Sequence, residues 1–222
     1  MSIVREGRPT LPAGLYGITA EKFSRGRSNI EVAAAMIAGG IRVIQYREKL
    51  LDKPADVMIA ECQAIRRITR EAGVLFIIND FPDLAVAVDA DGVHVGQDDL
   101  SVAEVRRLIG PHRLIGLSTH SPAQADAAVE QGADYIGVGP LYATQTKAGV
   151  CAPVGLGYLD YVVRHSPLPF VAIGGIKAHN LDEVLQHGAR SVCLVTEIVG
   201  ADDVAGTAAS LQVRVLAGEE HR

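Results

Sequence analysis

Apolar residues along this chain gather into eight short runs, most of them separated by longer stretches with helical patterning. The runs are LYGITA (15–20), IRVIQYRE (41–48), VLFIIND (74–80), GVHVG (92–96), LIGLST (114–119), YIGVGP (135–140), FVAIGG (170–175) and SVCLVT (191–196). Most are apolar on both faces, as parallel strands covered on both sides must be. Helical patterns follow at NIEVAAAMIAGG (29–40), PADVMIAECQAIRRITREAG (54–73), SVAEVRRLIG (101–110) and SPAQADAAVEQGA (121–133). Asn29, Ser101, Ser121 and Asn180 stand where helix N-caps are expected. Gly39, Gly73, Gly110, Gly132 and Gly188 stand where helices should stop.

Eight strand–helix units with right-handed crossovers predict an α/β protein, a single (β/α)8 TIM barrel. The barrel domain covers 1–222, with residues 1–13 as an N-terminal extension. A doubly wound open sheet is the competing architecture. The count of eight, with no linker breaking the series, favours the barrel. The long non-helical stretches, 21–28 and 141–155, fit loops at the strand C-terminal ends, and 141–155 is the candidate lid.

Charge and cysteine content narrow the setting. The 222 residues carry a net charge of −5, with 48% hydrophobic and 21% charged residues. That balance argues against nucleic acid or an anionic membrane as partner, so any anion site must be a local cluster of positive charge. Cys62, Cys151 and Cys193 form no CxxC pair and are odd in number, which suits a reducing compartment. The opening MSIVREGRPTLPAG has no long apolar run, and no stretch suits a membrane span. A cytoplasmic protein is expected.

In such barrels chemistry sits at the C-terminal ends of the strands. Those ends read Thr19; Gln45, Arg47 and Lys49; Asn79 and Asp80; Gln97, Asp98 and Asp99; Ser118, Thr119 and His120; Gly139 and Pro140 leading into TQTK; Gly174 and Gly175; Thr196 and Glu197. Gln45, Arg47 and Lys49 alternate, so a strand would aim all three to one side. With Lys147 they suggest a phosphate site, since guanidinium and ammonium both suit phosphate oxygens. Solvated surface charges are the plainer alternative. IGGI (173–176) and VTEI (195–198) lie where barrels frequently bind phosphate, or simply turn tightly into helices. Carboxylates beside a phosphate would repel it unless a divalent cation bridges them, which gives Asp80 and Asp99 a role. Alternatively, Asp80 caps the turn before Pro82, and Asp98 or Asp99 caps the helix near Ser101. His120 stands as a proton carrier and His94 as a satisfied core histidine.

The segments QYREK (45–49), ND (79–80), HVGQDDL (94–100), GLSTHS (116–121), GADYIGVGPLYATQTK (132–147), AIGGI (172–176) and VTEI (195–198) resemble the thiamine-phosphate synthase (thiamine-phosphate pyrophosphorylase) family. The resemblance implies a TIM-barrel transferase of thiamine biosynthesis. It joins hydroxymethylpyrimidine diphosphate to a hydroxyethylthiazole phosphate, or its carboxylated precursor, releasing diphosphate and thiamine phosphate. By motif, Gln45, Arg47, Lys49, Asn79, Ser118 and Lys147 would hold the pyrimidine diphosphate. Arg47, Lys49, Lys147 and Ser118 would be catalytic. Thr144, Thr146, Gly175, Val195 and Thr196 would hold the thiazole phosphate. Asp80 and Asp99 would bind Mg2+. Thr196 stands where many members carry serine, and Glu197, standing where they carry a small residue, is expected to point outward. The partners implied are two phosphorylated small molecules, with no nucleic acid and no membrane; related barrels often self-associate, which admits a homo-oligomer. A thiazole tautomerase needing only the thiazole end and His120, and a silent sensor of thiamine intermediates, are the rival readings.

Overall fold

The computed structural model describes residues 7–48, 53–146 and 151–220. The alternation begins with β1 (Gly14–Ile18), α1 (Asn29–Ala38), β2 (Val43–Tyr46), α2 (Ala55–Ala72), β3 (Leu75–Asn79), α3 (Pro82–Ala87), β4 (Gly92–Val95) and α4 (Val102–Ile109). It continues with β5 (Leu114–Thr119), α5 (Pro122–Gln131), β6 (Tyr135–Val138), α6 (Gly155–His165), β7 (Phe170–Ile173), α7 (Leu181–Gln186), β8 (Ser191–Cys193), α8 (Val195–Val199) and α9 (Val204–Glu220). The strands are parallel and close in sequence order, with β8 hydrogen-bonded back to β1. The closed barrel replaces the open-sheet alternative. No helix among the described residues is long and apolar enough to cross a membrane.

Alternation along each strand divides the apolar residues into two cores. Tyr16, Ile18, Val43, Ile77, Leu114, Tyr135, Val171 and Cys193 fill the barrel interior. Ile44, Tyr46, Phe76, Ile78, Val93 and Val95 face outward into the larger layer beneath the helices. Both faces are therefore buried, and the strand runs read as continuously apolar for that reason.

Several local expectations shift. The first helix is capped by Ser28, not Asn29, because Ser28 pairs with Glu31 in a capping box. Ser101 caps α4 in the same way with Glu104, so neither Asp98 nor Asp99 is its cap. Asp80 does not cap α3, whose N-cap position is Phe81 with no side-chain bond. SVCLVT is a strand only to Cys193, and VTE forms the first turn of α8. Residues Glu21–Phe23 form one 3-10 turn within the stretch expected to be loop.

The N-terminal end of the barrel is tied by carboxylates. Asp91 accepts from the Phe76 N–H (2.7 Å) and from both terminal nitrogens of Arg66 (2.8 and 3.0 Å). Two units later Asp134 accepts from the Ile115 N–H (2.8 Å) and pairs with Arg106 and Arg8. Arg8 Nε also donates to the Pro111 carbonyl (2.6 Å), and Leu11 packs against the barrel interior. The described part of the N-terminal extension thus closes the barrel from below.

Candidate active site

A cavity of about 820 Å3 opens at the C-terminal ends of the strands. Gln45, Arg47, Asn79, Asp80, Asp99, Ser118, Thr144, Thr146, Gly175, Val195 and Thr196 all line it. Every described residue expected at the site is therefore in one place. Lys49 and Lys147 lie outside the described residues.

Strand alternation explains the cationic wall. Val43, Gln45 and Arg47 point inward, while Tyr46 and Glu48 point out toward α1 and α2. The Arg47 N–H donates to Thr19 Oγ1 (3.1 Å), which fixes the chain as it leaves β2. Burial lowers the Arg47 pKa from its ordinary value, while the Asp80 and Glu48 carboxylates act to raise it. On the outer side Lys53 sits among Glu21, Glu48 and Glu61, with Nζ 2.9 Å from the latter two carboxylates. These three acids are close enough to suggest a metal, but the ammonium already occupies their centre.

The acidic wall follows β3 and β4. Asp80 adopts φ 65°, and its N–H donates to the His94 carbonyl (2.9 Å). Such a left-handed conformation is uncommon outside glycine, asparagine and aspartate, and clusters at functional sites. Asp99 Oδ2 accepts from the Gly96 N–H (2.7 Å), and Gln97 Nε2 donates to the Ser118 carbonyl (2.7 Å). Asp80, Asp98 and Asp99 face the same cavity as Arg47.

The opposite wall is backbone and hydroxyl. Gly174 and Gly175 have φ 95° and 66°. A Cβ on Gly174 would fall 2.4 Å from Pro140, and one on Gly175 2.5 Å from the Ala143 carbonyl oxygen. Glycine there lets the end of β7 pass beneath the 140–146 loop, which carries Thr144 and Thr146. Lys177, which motif reasoning passed over, lines this wall; its Nζ donates to Thr196 Oγ1 (2.7 Å) and lies 3.2 Å from Glu197 Oε2. Glu197 does not line the cavity, as expected of an acid next to Thr196, but it is half-buried and not free in solvent: it serves as the counter-charge of Lys177. Nothing local ties Lys177 to a residue of the helix that follows the next strand.

Tyr16 and Tyr135 in the floor were also missed, because single apolar-run tyrosines look like core. Gln45 Nε2 donates to Tyr16 Oη (2.9 Å), which lies 2.9 Å from Tyr135 Oη. Tyr135 Oη is 3.2 Å from His94 Nδ1, and His94 Nε2 is 2.9 Å from Ser118 Oγ. His94 is thus partnered, as expected, but within the cavity floor. His120 Nδ1 bonds the Gly139 carbonyl at the rim.

The thiamine monophosphate synthase family model matches residues 15–198. The chain belongs to that family. A thiamine-phosphate synthase from Pelotomaculum thermopropionicum is 59% identical over 210 residues, covering 95% of each chain. One from Lawsonia intracellularis is 56% identical over 195 residues, covering 88% of this chain and 89% of that one. The solved thiamine phosphate pyrophosphorylase from Pyrococcus furiosus superposes with a TM-score of 0.84 at 33% identity, covering 93% of this chain and 96% of its own.

Proposed function

We propose that this protein is a thiamine-phosphate synthase, condensing 4-amino-2-methyl-5-hydroxymethylpyrimidine diphosphate with 4-methyl-5-(2-phosphoethyl)thiazole or its carboxylated precursor. Family membership supports the reaction. The observation that carries the assignment of sites is one cavity with two unlike walls. Gln45, Arg47, Asn79 and Ser118 stand on one side, with Asp80 and Asp99. Thr144, Thr146, Gly175, Val195 and Thr196 stand on the other, with Lys177. Lys49 and Lys147 join the pyrimidine-diphosphate side by motif.

The donor set suits Mg2+. Two carboxylates on one wall are what a hard cation takes when substrate phosphates and water complete its shell. Asp80 and Asp99 would hold the ion, which supplies Lewis-acid stabilisation of the diphosphate charge. The chain's own residues do the rest. Arg47, Lys49 and Lys147 offer donors to the departing oxygens, and Ser118 adds a hydroxyl. The bond between the methylene carbon and the diphosphate oxygen breaks, and its electron pair leaves with diphosphate. The aminopyrimidine ring disperses the positive charge on the methylene. The thiazole nitrogen then gives its lone pair to that carbon, forming the new C–N bond; with the carboxylated precursor the ring carboxylate is also lost as CO2, and a proton takes its place. Thr144, Thr146, Gly175, Val195, Thr196 and Lys177 hold the thiazole phosphate so that this nitrogen is in line, and such positioning supplies a large part of the acceleration.

The reading assigns the protein two phosphorylated small-molecule partners and, with Cys62, Cys151 and Cys193 all unpaired, a reducing cytoplasm. Purified protein given both substrates should release diphosphate and thiamine phosphate in equal amounts, with the reaction stopped by chelation and restored by Mg2+. Isomerised thiazole phosphate without diphosphate release would instead establish the tautomerase. Full turnover after chelation would remove the metal from the reading.

A further inference from the structure

The cavity floor contains five polar side chains from five strands joined in single file: Gln45, Tyr16, Tyr135, His94 and Ser118. Each tyrosine hydroxyl has one hydrogen to give, and a neutral imidazole has one N–H. Burial pushes the Tyr16 and Tyr135 phenols well above the usual range, so both keep their protons. With a neutral imidazole at His94 the file has two orders, one running each way, and the end groups bias the choice between them.

We infer that the file is polarised from Gln45 to Ser118, making Tyr16, Tyr135 and His94 positioning residues that hold the Ser118 hydroxyl hydrogen toward the cavity. The Gln45 amide nitrogen can only donate, and it fills a lone pair of Tyr16. The Tyr16 hydrogen then goes to Tyr135, and the Tyr135 hydrogen to His94 Nδ1. Nδ1 is thereby the bare nitrogen, and the imidazole hydrogen sits on Nε2, donating to Ser118 Oγ. The Ser118 hydrogen is left for the ligand. The reverse order would make Ser118 donate to His94 and show only lone pairs to the cavity. An anionic ligand rejects that order.

The barrel holds the rings where this file requires them. A Cβ on Gly116 would lie 2.2 Å from Tyr135 Cζ and 2.4 Å from His94 Nδ1, so only glycine leaves room for both rings. Gly137 is the next closest, its Cβ falling 3.3 Å from His94 Cε1. The His94 and Tyr135 ring centres are 5.5 Å apart.

The functional meaning rests on the proposed reaction, but the polarity is read without it. In protein labelled with 15N-histidine, with a His94→Asn variant to assign the signals, His94 should show an unprotonated Nδ1 and a protonated Nε2. Tyr135→Phe should mix the tautomers and lower turnover on the order of tenfold, the low end for losing a supporting hydrogen bond, with both KM values within twofold. In a Ser118→Ala background the same change should cost nothing further, because Tyr135 acts only through that hydroxyl. An Nδ1–H tautomer in the unmodified protein, or losses that add in the double variant, would overturn the inference. A protein that makes no thiamine phosphate yet shows the Nε2–H tautomer keeps the polarity and overturns the reaction instead.

Discussion

At the N-terminal end of the barrel Asp91 and Asp134 are each closed off by arginine and a strand N–H, while at the C-terminal end Asp80, Asp98, Asp99 and Arg47 face one open cavity. The residue types are the same. What differs is the setting: the lower carboxylates are enclosed by arginine, while the upper ones, Asp99 held by the Gly96 N–H, line a cavity. Below, the charge becomes a tie between neighbouring units. Above, acid and guanidinium face the same open space. Separating stability from chemistry in this way is what lets the upper loops specialise without endangering the barrel.

Removing a lower carboxylate should have the largest effect on folding. Asp134→Ala leaves Arg8 and Arg106 to their carbonyl partners and removes the acceptor of the Ile115 N–H, and should cost roughly 3 kcal/mol in urea unfolding while activity per folded molecule stays unchanged. Upper substitutions should do the reverse. Arg47→Ala or Asp99→Ala should lower turnover by at least about a hundredfold, near 3 kcal/mol of transition-state stabilisation, with unfolding midpoints close to the parent. Near-parent turnover in either variant would sink its place in the site.

Lys177 tests the thiazole wall more finely. Lys177→Met removes a cation from the cavity wall and leaves Glu197 behind it without its counter-charge, and should raise KM for thiazole phosphate roughly tenfold, the scale of one hydrogen bond to a charged group. Thr196→Ser keeps the hydroxyl and should stay within twofold. The smallest effect is expected away from both ends: Ser101→Ala removes the α4 capping box and should cost about 1 kcal/mol of stability with kinetics unaltered, as thermal unfolding beside steady-state assays would show.

Much of this was legible in the sequence because the signals are local. Apolar runs marked the strands; Ser101 with Glu104, and Gly73 and Gly132 at left-handed φ, marked helix ends. Alternation alone set Gln45 and Arg47 on one side of β2. Local signals also misplaced some boundaries: Asn29 was favoured over Ser28, and VTE was carried into β8 although the chain turns into α8 there. Closure of the barrel decided the rest. Tyr16 meets Tyr135 across 119 positions, His94 meets Ser118 across 24, and Lys177 meets Thr196 across 19. No local propensity encodes such pairs, since each partner's own neighbours are satisfied by strand or loop. The first two exist because eight strands close on one axis and bring their inward side chains to a common floor, and the third because closure sets the loop after β7 against the first turn of α8.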